Sequence, residues 1–124
     1  DVFRYAREPE LVNDASLVYA DVLLQGSDQT GALATYKRME FFGSQRMQSE
    51  KERKQIETAI LAAIQLAGEL GRPADVLESA DKYLTLFPTS PKVNEVRQTR
   101  TAAALQVAAE AAAPAAAPAA QKAP

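Results

Sequence analysis

The chain has 124 residues, 47% hydrophobic and 24% charged, with a formal net charge of −2 and a pI near 5.2. That is one small globular domain, without the broad basic field that nucleic acid recognition requires. Cysteine and histidine are both absent, which excludes disulfides, Cys/His metal centres and any Ser-His or Cys-His catalytic pair. No metal site or cofactor is expected.

In chain order, every strong periodicity is helical. "EPELVNDASLVYADVLLQG" places Pro9 at a first helical position and Gly26 as a stop. Leu11, Ala15, Val18, Val22 and Leu23 recur at spacings of three and four, which predicts one buried helix face. "SDQTGALATYKRMEFFG" follows, capped by Ser27 or Asp28, with Leu33, Tyr36, Met39 and Phe42 as its apolar stripe and Gly43 as its end. The short turn at Gly26 and Ser27 makes these two helices antiparallel neighbours. A third helix spans about 48–70, with Gly71 as its left-handed terminator. Its first half is charged; its second is apolar at Ile56, Ala59, Ile60, Ala63, Ile64, Ala67 and Leu70.

Pro73 opens a fourth helix that buries Val76, Leu77, Ala80, Tyr83, Leu84 and Phe87, and Pro88 stops it. Ser90 and Pro91 launch a fifth helix, rich in alanine and strongly helical by propensity. No convincing strand appears. From Pro114 the Ala/Pro tail lacks backbone donors, and the helix fails. The chain thus divides into an arm at 1–8, a helical domain at 9–112 and a tail at 113–124. Asp1 rather than Met opens it, which reads as a processed or partial sequence. No apolar run reaches the roughly 20 residues of a membrane span.

Candidate chemistry is sparse. Glu50 with Glu52, and Asp75 with Glu78 and Asp81, lie on polar helix faces and read as solvated carboxylates rather than an acid/base pair. "SEKERKQ" alternates in sign, with Glu50 four residues before Lys54, and reads as an exposed helix extension. "GSDQTG" has neither the lysine nor the preceding strand of a phosphate loop.

Residues 32–44 laid over 76–88, at an offset of 44 residues, match apolar and basic positions: Ala32 with Val76, Leu33 with Leu77, Arg38 with Lys82, Met39 with Tyr83. The stretch "IETAILAAIQLAGELGRPADVLESADKYLTLFPTSP" resembles a tetratricopeptide repeat. Pro88 takes the place of the family's closing proline and Gly71 that of the turn glycine. Ile60, Ala63, Ile64, Val76, Ala80 and Tyr83 take packing places. Ala80 and Tyr83 exchange the family's large and small residues, and Ala67 stands where an aromatic is usual. "YLTLFPTSP" is similar to an ending that recurs in bacterial cell-envelope members, among them the outer-membrane assembly lipoprotein and the division-coordinating periplasmic protein. The resemblance covers 57–91 well and 13–44 loosely; the alternative is an unrelated helical bundle.

The resemblance implies an all-α fold of two antiparallel helix pairs plus a C-terminal capping helix. It implies a non-catalytic interaction module, a scaffold or adaptor for other protein subunits in a bacterial envelope or periplasmic assembly. A cytoplasmic location is the alternative. Its concave face would be lined by first helices, which points to Thr58, Leu61, Gln65, Gly68 and Glu69. Leu61 also suits a core role. The basic clamp that holds a peptide's C-terminus in some members is missing. A different function class, an obligate accessory subunit ordered by packing on its partners, fits the same pattern. An enzyme is disfavoured.

Overall fold

The computed structural model describes residues 2–112, with side chains from Glu8 onward. Five helices follow one another: α1 (Val2–Gln25), α2 (Gln29–Arg46), α3 (Glu50–Glu69), α4 (Pro73–Leu86) and α5 (Val93–Ala112). There is no strand among the described residues. The helices pack in successive pairs, and α3 is central, lying against α1, α2 and α4; α5 lies along α4. The Ala/Pro tail at 113–124 falls outside the described residues.

Both hairpin turns are the same device. Asp28 N–H donates to Leu23 C=O at 2.8 Å and Ser27 N–H to Leu24 C=O at 3.0 Å. Forty-four residues on, Arg72 N–H donates to Ala67 C=O at 2.9 Å and Gly71 N–H to Gly68 C=O at 3.2 Å. This is the Schellman pattern, which needs one left-handed residue just past each helix. Gly71 takes that conformation at φ 68°, as its position predicts. In the first turn Ser27 takes it, at φ 65°, and Gly26 does not.

Two other boundaries differ from the sequence expectation. Pro9 lies inside α1, so the arm at 1–8 is helical from Val2 rather than separate. Gly43 does not end α2; a Cβ there would stand 2.2 Å from Ile56 Cδ1, so glycine lets α3 approach. The start of α3 is fixed by Ser49: its Oγ accepts from Glu52 N–H at 3.0 Å, and Glu52 Oε1 accepts from Ser49 N–H at 3.2 Å. That reciprocal pair satisfies two of the donors a helix start leaves open.

The core is built from α2, α3 and α4. Leu33, Tyr36, Met39, Ile56, Ala59, Ile60, Ala63, Ala67, Val76, Ala80, Tyr83 and Phe87 are buried as the spacings predict, and Val93, Val96 and Ala103 of α5 cover α4. Ile64, Leu70, Leu77 and Leu84 are half-buried against this cluster. Two expectations fail. Leu11, Val18 and Val22 are 61%, 62% and 56% exposed, and Ala15 is exposed with them. The face that α1 turns inward is instead Asn13, Ser16, Leu17, Ala20, Leu23 and Leu24. Phe42 is also exposed, beside Phe41.

The charged half of α3 is exposed at Glu50, Lys51, Arg53 and Lys54, but Glu52, expected on a solvated face, is buried, and the Gln55 side packs on α1. Gln55 is buried, accepts from Asn13 at 3.0 Å, and donates to Glu10 C=O at 3.0 Å and Asp14 at 2.8 Å. Lys51 pairs with Asp14, and Ser49 Oγ donates to Glu10 at 2.7 Å. A polar joint therefore fastens α1 to α3. Elsewhere, buried Ser79 donates to buried Glu40 at 2.6 Å, and Lys37 bridges Glu40, Ser79 and Glu78. Tyr83 is fully buried and its hydroxyl meets Glu57 and Ser90, each at 2.6 Å. Arg53 lies over the Phe87 ring and caps the Leu86 carbonyl, and Arg100 pairs with Asp81 to tie α5 to α4.

Burial repeats along the chain. Buried Ala32, Thr35, Tyr36 and Met39 in α2 become buried Val76, Ser79, Ala80 and Tyr83 in α4, each 44 residues later. The inward face of α1 recurs in α3 as Ile56, Ala59, Ile60, Ala63, Leu66 and Ala67, with Ala20 to Ala63 setting an offset of 43.

Candidate partner-binding surfaces

Of the residues the repeat pattern assigned to a concave face, Thr58, Gln65, Gly68 and Glu69 are exposed on one side of α3. A Cβ at Gly68 would meet nothing within 4 Å, so the backbone is open there. The Glu69 carboxylate is held by Gln29 at 3.1 Å and Gln65 at 3.2 Å. Leu61 is half-buried and packs on the core, combining a core contact with an edge on this face.

Carried back by the 43-residue recurrence, Thr58, Leu61 and Gln65 fall on Ala15, Val18 and Val22. The exposed stripe of α1 is thus the first pair's version of the same face. The two stripes occupy equivalent places on α1 and α3, which lie against each other. One half is polar and small, with Leu61 at its edge. The other is apolar, with Leu11, Ala15, Val18 and Val22 at heptad-like spacing along about three turns of helix. Periodicity finds this stripe readily but assigns it to the core. It cannot tell a face that packs within the chain from one that does not.

A second feature lies between α1 and α2. A cavity of about 300 Å³ is lined chiefly by Pro9, Val12 and Asn13 on one wall and Arg38, Met39 and Phe42 on the other, with Thr35, Gly43 and Arg46 alongside. Its volume is at the lower limit of small-molecule pockets. Arg38, Phe42 and Arg46 follow one another at four-residue steps on one face of α2, an aromatic between two guanidinium groups.

Titration behaviour follows from these contacts. Hydrogen bonds from Gln55 and then Lys51 hold the Asp14 carboxyl below the ordinary carboxylate range. Burial, reinforced by Glu57, pushes the Tyr83 hydroxyl up to about 12, and Ser90 opposes the rise. Burial likewise raises Tyr36. Both tyrosines therefore stay neutral to higher pH than a free tyrosine.

No group of carboxylates among the described residues is arranged to hold a metal ion, and no helix among them is long and apolar enough to cross a membrane. Comparison with protein-family models, curated proteins and solved structures found no match.

Proposed function

We propose that this chain is a non-catalytic helix-pair scaffold of the tetratricopeptide type, an adaptor that holds other proteins within a bacterial cell-envelope assembly. The observation that carries this is the exposed apolar stripe Leu11, Ala15, Val18 and Val22, at places equivalent to the candidate face on α3. Contiguous exposed apolar surface marks sites of association. The recurrence of burial at 43 and 44 residues supports a stacked-pair architecture. That period is about ten residues longer than the 34-residue tetratricopeptide unit, and the first helices are correspondingly long. The envelope placement rests on the "YLTLFPTSP" ending.

The two ends of the stack differ. The outer side of α5 carries Arg97, Gln98, Thr101 and Ala102 with one exposed leucine, Leu105, as a cap's polar face should. The α1 end exposes Val12, Tyr19 and Phe42. This asymmetry favours, as a second reading, an accessory subunit that packs permanently through its α1 end.

Crosslinking in the source organism tests association itself. The chain should be recovered above the mass it shows without crosslinker, and Val18→Asp with Val22→Asp should return it to that mass with its melting temperature unchanged. Recovery of the parent chain at its own mass refutes the scaffold. Circular dichroism and light scattering on the isolated chain separate the two readings: a monomer with a reversible melt is an adaptor, and a molten or aggregating chain is an obligate subunit.

A further inference from the structure

The cavity between α1 and α2 has a counterpart that is already filled. In the second pair α2 itself sits against α3 and α4: Glu40 accepts from Ser79 at 2.6 Å, Lys37 donates to Ser79 at 3.0 Å, and the Gly43 backbone closes on Ile56. By the 43- and 44-residue recurrences Ser79 corresponds to Thr35, Lys82 to Arg38, Tyr83 to Met39 and Ile56 to Asn13. All four first-pair residues line the cavity. It is therefore the seat that a helix occupies one pair further along.

The chemistry of the seat says what kind of helix. Val12 and Phe42 are exposed apolar walls over buried Met39. Arg38 and Arg46 flank Phe42 at a separation of about 12 Å along the helix axis. Neither arginine is ion-paired among the described residues. Glu52, the carboxylate that lines the cavity, is engaged by the Gln48 and Ser49 backbone N–H groups at 3.3 and 3.2 Å, so it leaves the arginines free. Arg46 also complements the C-terminal dipole of α2, which Arg38, two turns earlier, does not.

We propose that the groove between α1 and α2 receives an acidic amphipathic helix of a partner protein, seated as α2 is seated against α3 and α4. Carboxylates two turns apart on that helix meet Arg38 and Arg46, and an apolar side chain between them packs on Val12, Met39 and Phe42. The inference deepens the scaffold reading and rests on it.

The test titrates the full isotope-labelled chain with synthetic alanine-rich helices of roughly 18 residues, long enough to hold helical structure. One carries Glu at positions i and i+8 around a Leu at i+4; its control carries Lys at both charged places. The Glu peptide should shift the amides of Val12, Ser16, Phe42 and Gly43 and weaken as salt rises. Arg38→Glu with Arg46→Glu should cost it about tenfold or more in affinity and transfer binding to the Lys peptide, as charge-assisted contacts require. Equal binding of both peptides, or indifference to the double reversal, overturns the proposal. Shifts confined to Leu11, Ala15, Val18 and Val22 overturn it while leaving the scaffold intact. Groove amides that move with protein concentration alone make the occupant a second copy and also overturn it. Silence on both faces counts against both.

Discussion

Replacing Tyr83 by alanine probes the packing of the second helix pair at its centre. The side chain is fully buried, its ring 5.2 Å from that of Phe87, and its hydroxyl bonded to Glu57 and Ser90 at 2.6 Å. A buried aromatic removes on the order of 200 Å² from water, worth at most about 5 kcal/mol at roughly 25 cal/mol per Å². Truncation of buried aromatics to alanine costs about 3–5 kcal/mol once partial collapse of the cavity is included. The hydroxyl adds its own share, about 1.5–3 kcal/mol for a bond to a charged group, reduced here because half-buried Glu57 can turn to water. Tyr83→Ala should therefore lose about 4–7 kcal/mol, a large part of a small domain's roughly 5–15 kcal/mol. Tyr83→Phe should lose about 1–2 kcal/mol. Urea unfolding followed by far-ultraviolet circular dichroism measures both, provided the denaturant slope is unchanged. A loss below about 1 kcal/mol for Tyr83→Ala would refute the placement of this residue at the core of the pair.

The same hydroxyl predicts an alkaline transition. Its pKa is raised to about 12 in the folded chain, against about 10 unfolded. Stability is full below pH 10 and falls between pH 10 and 12, because only the unfolded chain releases the proton there. Tyr83→Phe should lack that component in melting temperature against pH; identical slopes for parent and variant would exclude it. Gly43→Ala should destabilise by about 1–3 kcal/mol despite alanine's better helix propensity, since Ile56 is fully buried and cannot retreat. Pairing it with Ile56→Ala should recover part of that loss, and additive losses in the double-mutant cycle would deny the contact. Ser27→Gly should stabilise by about 0.5–1 kcal/mol by relieving a left-handed serine; a lower melting temperature would count against that cause.

Much of the fold is legible in one dimension. The all-α class, five helices in order, Gly71 as a left-handed turn residue, Pro73 at a helix start and the inward side of α4 all follow from local chemistry. Spacing, backbone freedom and the missing proline donor act within a few residues and need no neighbour. Even the recurrence at 44 residues is visible in the chain, because equivalent helices bury equivalent positions.

Only tertiary structure decides which apolar face finds a partner. The stripe from Leu11 to Val22 has the same periodicity as the buried stripes of α3 and α4, yet it is exposed. Helix α1 lies against its neighbours along Leu17, Ala20, Leu23 and Leu24 and is tied to α3 by a polar joint at Gln55. Gly43 reads as a stop until Ile56 of α3 is seen above it, and Phe42 reads as core until the groove beside it is seen to be open. Periodicity records that a helix has an apolar side; the number and direction of neighbouring helices determine whether that side is core or a surface for something else.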